Sequence, residues 1–267
     1  MGGSLPITAY VRTMNEASRI EAVVRRAKES CSEVLVVDSG STDNTVALAE
    51  AAGARVIVQP WLGNGRQKRV AEAQAAHDWL LDLDADELID GDLASALREL
   101  FASSEPEPGA YRIRLTTVPP YPKGVVWNAV RPDWRAKLYH RHAFQMPDHE
   151  AWDQLDIPAG TKVGKLSGRL LHYAFLDIGH QVTKMNRVSG VRAHLGNPKG
   201  PASLRLRILF GFPMYFFKKY IQHRYWTAGV YGFAVAAVIA SNRWLRDVKM
   251  YEIYLREQGV NDIREES

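Results

Sequence analysis

The chain has 267 residues, 46% of them apolar and 24% charged, which supplies a sizeable core and excludes a disordered segment. A formal net charge of +4 suits nucleic acid, anionic lipid or a phosphorylated substrate as partner. The single cysteine, Cys31, excludes an internal disulfide and a multi-thiolate zinc site, and suits a reducing cytoplasm. The opening MGGSLPITAYV has no basic segment before a long apolar one, so no signal peptide is expected.

In chain order, residues 7–11 (ITAYV) read as a first buried strand and 15–30 as a helix with apolar residues at helical spacing. Val34 to Val37 form a second strand, ended by the polar turn of DSGSTDN. TVALAEAAG follows as a helix closed by Gly53, ARVIVQP as a third strand, residues 66–76 as a third helix and DWLLDLDADE as a fourth strand. Such alternation predicts a mostly parallel sheet covered by helices, with ligands bound beyond the carboxyl ends of its strands. Three polar clusters fall at those ends: RTMNE, DSGSTD and DLDADE.

Beyond residue 105 the texture changes. SSEPEPGAY is a loop, YRIRLTTV a strand, and a Pro- and Trp-rich stretch runs to Trp152, with LYHRHAF and GRLLHYAF as further short strands. After Phe175 the chain reads as helical. Residues 204–226 interleave Arg, Lys and His with large apolar side chains, the pattern of a helix lying in a membrane interface. Residues 225–242 are uncharged, but 18 residues is the lower edge of a spanning length, and the Gly, Thr, Ser and Asn among them favour an interfacial or protein-buried helix. With no nucleic-acid module in the sequence, lipid is the expected partner of the basic stretch.

Several nucleotide-binding motifs are excluded. GNGRQK begins like a dinucleotide fingerprint, but Lys68 stands in place of its third glycine, and GxxxxGK[ST] does not occur. What remains is the combination of TMNE at 13–16, VVDSGSTDNT at 36–45, WLGNGRQK at 61–68 and DWLLDLDADE at 78–87. DHE at 148–150, LLHYAF at 170–175 and TKMN at 183–186 accompany it. Together these motifs resemble the family 2 glycosyltransferases of GT-A fold, and within them the lipopolysaccharide inner-core glucosyltransferase-like branch.

The resemblance implies an α/β, Rossmann-like GT-A sheet: a nucleotide-sugar half over 1–104, an acceptor and catalytic half over 105–176, and amphipathic membrane-interface helices over 177–267. It also implies a site. Asp84 and Asp86 match the Asp-x-Asp pair that holds Mn²⁺ or Mg²⁺ on the donor diphosphate, with His172 as a third metal ligand or phosphate contact. Hard divalent cations take carboxylate oxygen, which suits such a pair. Asp38 matches the carboxylate that reads a uracil base. Thr13 and Glu16 sit where the family wraps the nucleoside, and Lys68 where relatives place a basic residue near the phosphates. Thr13 also reads as a cap for the helix near Asn15, and Asp82 as a helper of uncertain place.

Glu150 is the first candidate for the base that inverting transfer requires, and Asp148 the second. Arg135 and Lys184 are candidates for phosphate or acceptor contacts. In WTAGVYGF, Thr227-Ala228 stands where that branch often carries Asp-Gly. The implied protein is a bacterial enzyme, peripheral on the cytoplasmic face of the inner membrane. It would move a sugar, UDP-linked, to a lipid-linked or lipopolysaccharide acceptor and bind an anionic membrane surface and no nucleic acid. The rival expectations are a sugar-nucleotide-binding scaffold without turnover and an interfacial lipid-binding protein.

Overall fold

A computed structural model describes residues 4–123, 125–195, 197 and 199–259. They form two compact units: one takes in the chain up to Thr117 together with Pro132–Tyr173, the other Val118–Arg131 and the chain from Ala174 onward.

The first unit is built on an eight-stranded sheet. In chain order its strands are β1 (Leu5–Thr13), β2 (Cys31–Asp38), β3 (Arg55–Val58), β4 (Trp79–Asp84), β5 (Glu87–Ile89), β6 (Ala110–Thr117), β7 (Asp133–His140) and β8 (Gly164–His172). Across the sheet the order is β3-β2-β1-β4-β7-β6-β8-β5. The first four strands of this order are parallel, as βαβ alternation demands. Beyond β4 the sheet becomes mixed: β7 runs antiparallel to β4 and β6, β6 pairs parallel with β8, and β8 antiparallel with β5.

Helices α1 (Ile20–Lys28), α2 (Thr45–Ala51), α3 (Asn64–Gln74) and α4 (Gly91–Leu100) flank the sheet. Strand alternation sorts the two faces. Ile7, Ala9 and Val11 of β1 join Trp79, Leu81 and Leu83 of β4 in an apolar core with α1 and α4. Tyr10, Leu80 and Tyr139 point to the other face, where Ala71 of α3 and Ala75 just past its end cover them.

Three boundaries differ from the sequence expectation. The first helix begins at Ile20, because Asn15 takes a left-handed conformation (φ 56°) and the chain from Met14 to Arg19 turns instead. Thr13 therefore caps no helix at Asn15. The fourth strand stops at Asp84, and Glu87 opens the separate strand β5; the next helix starts at Gly91, where the Asp90 carboxylate accepts from the Leu93 N–H. Residues 118–131 were expected with the catalytic half. They belong to the second unit because Trp127 and Val130 pack there with Phe175, Tyr225 and Val235.

The second unit is helical: α5 (Ile178–Leu195), α6 (Pro201–Phe217) and α7 (Gly229–Glu257). Between the last two lie a π-helical turn (Lys218–Gln222), Arg224 in a left-handed conformation (φ 63°) and a 3₁₀ turn (Tyr225–Ala228). The 225–242 stretch is thus broken at its start, and no helix among the described residues is long and apolar enough to cross a membrane.

Candidate active site at the carboxyl end of the fourth strand

The register of the central strands places the site. Tyr10 lies beside Asp82 and Arg12 beside Asp84, so β1 and β4 deliver alternating polar side chains to the face under α3. Lys68 enters from α3 and Lys137 from β7. Lys68 Nζ lies 2.7 Å from Asp82 Oδ2, 3.7 Å from Asp153 Oδ2 and 4.0 Å from Asp84 Oδ1. Lys137 Nζ lies 2.9 Å from Glu87 Oε2, 3.3 Å from Asp82 Oδ2 and 3.5 Å from Asp84 Oδ2. Arg12 spans the rest, with Nε 3.1 Å from Asp84 Oδ1 and an Nη2 2.5 Å from Asp153 Oδ2.

Four carboxylates therefore meet three cations. Asp82, Glu87, Lys68 and Lys137 are buried, while 30% of the Asp84 side chain remains exposed. Burial alone would raise the Asp84 carboxyl, but Lys137, Lys68 and Arg12 hold it well below the usual carboxylate range. Asp153 is likewise depressed: burial opposes, and Lys68 and Arg12 prevail. Glu87 goes the other way. Burial, reinforced by Asp84 against the pull of Lys137, pushes it up. The site thus favours the ionised form of Asp84 and disfavours that of Glu87. Lys137 is pulled down by burial but raised well above its ordinary value by Asp82, Asp84 and Glu87.

Asp86 and His172 form a neighbouring pair, Nε2 to Oδ1 3.5 Å, because Glu87 on β5 is paired in register with His172 on β8. Burial lowers the imidazole, yet Asp86 beside it lifts it above its usual value. Among the described residues no three His, Cys, Asp or Glu side chains converge at metal-holding distances. The donor chemistry nevertheless fits a hard divalent cation. The cluster carries more carboxylates than cations, Asp82 Oδ1 and Glu87 Oε1 accept no hydrogen bond, and Asp84 opens to solvent. Ions of the Mg²⁺ type commonly take one or two carboxylates and fill their remaining positions with water and substrate phosphate.

The remaining sequence candidates lie as follows. Asp38, at the end of β2, turns both oxygens into its own loop, accepting from the N–H groups of Gly40 (2.9 Å) and Ser41 (2.8 Å) and from the Ser41 hydroxyl. Thr13 is buried and its Oγ1 has no hydrogen-bond partner. Glu16 Oε2 pairs with Arg19 at 3.1 Å. Arg135, on β7, pairs with Asp133 of the same strand. Lys184 belongs to the second unit, where it donates to the Ala174 carbonyl.

The two candidate bases are exposed, Asp148 71% and Glu150 56% at the side chain, and both face Arg66, at 2.6 and 3.3 Å. Their loop is docked on the start of α3: Asn64 N donates to the Glu150 carbonyl (2.6 Å) and Gly65 N to that of His149 (2.9 Å). Gly63 (φ 113°) makes the approach possible, since a Cβ there would lie 2.5 Å from Glu150 Cα. Asn64 Oδ1 in turn accepts from Arg12 (2.9 Å), tying this loop to the carboxylate cluster. WLGNGRQK and DHE are therefore one feature in space.

Sequence reasoning missed Arg12, Lys137 and Asp153. Lys137 had a signal: in WRAKLYH, Arg135, Lys137 and Tyr139 share one strand face, and a lysine there in a central strand calls for a buried partner. Asp82, whose place was open, is the shared partner of Lys68 and Lys137.

The comparisons name the class: residues 8–162 match the family model described as Glycosyl transferase family 2, and the chain belongs to that family. A glycosyltransferase of Rickettsia bellii, itself uncharacterized, is 33% identical over 94% of this chain and 87% of its own length. The lipopolysaccharide core biosynthesis glycosyltransferase LpsC of Rhizobium meliloti is 30% identical over 93% of both chains. Among solved structures, glucosyl-3-phosphoglycerate synthase from Mycobacterium tuberculosis aligns at 24% identity and a TM-score of 0.33, covering 42% of this chain and 43% of that one. The protein is a glycosyltransferase, with the GT-A type of sheet and flanking helices that its motifs led one to expect.

Proposed function

We propose that this glycosyltransferase moves a hexose from a UDP-linked donor to a lipid-linked or lipopolysaccharide-type acceptor, with inversion, at the cytoplasmic face of the inner membrane. The carrying observation is the open end of β4, where Asp84 is kept ionised by Arg12, Lys68 and Lys137 while part of its carboxylate reaches solvent. The full-length likeness to LpsC supports the acceptor class.

In this reading Asp84 and Asp86 would hold Mn²⁺ or Mg²⁺, with His172 beside Asp86 as a third ligand. When bound, the ion supplies positive charge to the departing diphosphate. Lys68 and Lys137 fix the Asp84 carboxylate and add to the positive potential under the phosphates. Thr13, Glu16 and Asp38 form the nucleoside wall, Asp38 by way of the loop it organises. Glu150, with Asp148 as the alternative, takes the proton of the acceptor hydroxyl as that oxygen attacks the anomeric carbon; the bond to the diphosphate oxygen breaks and UDP leaves. Arg66 orients both acids from the start of α3. Arg135 and Lys184 contact phosphate or acceptor.

UDP release from UDP-sugars with Mn²⁺ tests the reading. Asp84→Ala or Asp86→Ala is expected to lower turnover by roughly 10²–10³-fold, the cost of one lost electrostatic stabiliser. Full turnover in the double variant would sink the metal assignment, and donor binding without turnover in the unaltered protein would favour a scaffold.

A further inference from the structure

The second unit carries an open, groove-like cavity of about 870 Å³ among α5, α6 and α7. Its apolar wall is formed by Met185 of α5, Ile208, Leu209 and Phe212 of α6, and Val238 and Trp244 of α7. That volume is of the size that takes a small organic ligand, roughly 300–1,000 Å³. Two of the polar groups in the wall already have partners: Trp244 Nε1 donates to the Ile208 carbonyl (2.9 Å), and the Asn186 side chain accepts from Lys249 (2.8 Å). Thr183, Ser241 and Asn242 also line it; Ser241 donates to the Ala237 carbonyl, and Asn242 Oδ1 is a buried acceptor without a partner. The wall is therefore chiefly apolar and suits a hydrocarbon chain, with one polar spot.

Leu209, 70% exposed, stands at its opening, and α6 continues the apolar surface with exposed Leu206, Phe210, Met214 and Phe217. Exposed apolar surface of this extent marks an interaction site. Charge identifies the occupant. From residue 178 to 246 the sequence carries eleven Lys and Arg and not one Asp or Glu. Arg207 and Arg243 directly adjoin the cavity residues Ile208 and Asn242 in sequence. A largely apolar groove opening on an apolar helix face within a stretch of net positive charge, of which Asp247 offsets only part at Lys199, Arg207 and Arg246, complements an amphiphile with an anionic head. Nucleic acid would match the cations and leave the groove empty, and a second copy of this chain would bring like charge against like.

We propose that the cavity between α5, α6 and α7 seats one hydrocarbon chain of an anionic phospholipid drawn from the bilayer surface, with its phosphate among the cations of α6 and α7. Trp244 in the wall then lies against the chain, and seating a chain holds the helical unit to one leaflet more firmly than surface contact alone. This site stands apart from the sugar-transfer reading, whose reacting carboxylates lie in the other unit.

Full-length protein with phosphatidylglycerol vesicles tests it, the lipid carrying bromine at mid-chain, where it quenches tryptophan on contact. Part of the emission is expected to be quenched, and Trp244→Phe to remove that part while vesicle co-sedimentation is retained. Val238→Phe overfills the cavity and is expected to reduce the Trp244-dependent quenching by about half or more. Should either variant fold poorly, the unaltered protein still decides the matter: mid-chain bromine must quench more strongly than bromine placed near the headgroup. Vesicle binding without Trp244-dependent quenching, the reverse depth order, no vesicle binding, or a dimer that shields Trp244 would each overturn the proposal. UDP-sugar turnover in lipid-free buffer, measured on the same preparations, reports separately on the transfer reading.

Discussion

The two units bury charge with opposite excess. At the end of β4, Asp82, Asp84, Glu87 and Asp153 share three cations, and two carboxylates, Asp84 and Asp153, are left partly open. Among the described residues of the helical unit a single carboxylate, Asp247 on α7, is fully buried, and it is surrounded by Lys199, Arg207 at 3.9 Å, Arg246 at 3.6 Å and the Tyr215 hydroxyl. Burial alone would raise Asp247, and its bonds to Lys199 and Tyr215 lower it instead. Removing charge from water is costly in both places and is offset only by close partners. What differs is the remainder: the sheet unit keeps unsatisfied negative charge, suited to a cation, and the helical unit keeps positive charge, suited to an anion.

The largest expected effect comes from deleting a buried cation that faces three carboxylates. Lys137→Met leaves Asp82 and Glu87 buried with less compensation and is expected to cost about 3–5 kcal/mol in urea unfolding. Adding Glu87→Gln to it should recover part of that loss; no recovery would mean that Lys137 acts through packing alone. Asp247→Asn should cost less, about 1–3 kcal/mol, because Lys199, Arg207 and Arg246 keep between 24% and 34% of their side chains at the surface and can turn to water. An equal loss in the two variants would erase the contrast between the units.

The smallest effect is in acid. The folded-state pKa of Asp247 lies below its unfolded value, so its stabilisation is fully present above about pH 3.9 and fades as pH falls through the folded value. The gap between the unaltered protein and Asp247→Asn is therefore expected to be flat near neutrality and to shrink below about pH 4, which unfolding at several pH values would show. A gap that widens in acid would contradict the direction of that shift.

Much of the sheet unit was readable along the chain. Period-2 and period-3.6 patterns located β1 to β4 and their helices, and turn clusters marked the strand ends where Asp38, Asp84 and Asp86 stand. Boundaries were less readable where one residue decided them, as with the left-handed Asn15 that delays α1 to Ile20. Arg12, Lys137 and Asp153 escaped notice because their partners lie 72, 53 and 141 residues away in sequence, as with Arg12 to Asp84, Lys137 to Asp84 and Asp153 to Arg12. Local patterning carries no information about such pairings.

LLDLDADELI shows where the division falls. Its apolar start and the Asp-x-Asp spacing of Asp84 and Asp86 follow from the sequence itself, although strand alternation reaches only to Asp84 and Asp86 stands in the turn beyond it. That Asp82 lies under α3 between two lysines, that Glu87 belongs to a separate strand rather than a helix start, and that Asp84 alone opens to solvent were decided by tertiary structure. The reason is electrostatic: a carboxylate's state depends on which cations the fold brings within a few ångströms, and those arrive from β1, α3 and β7.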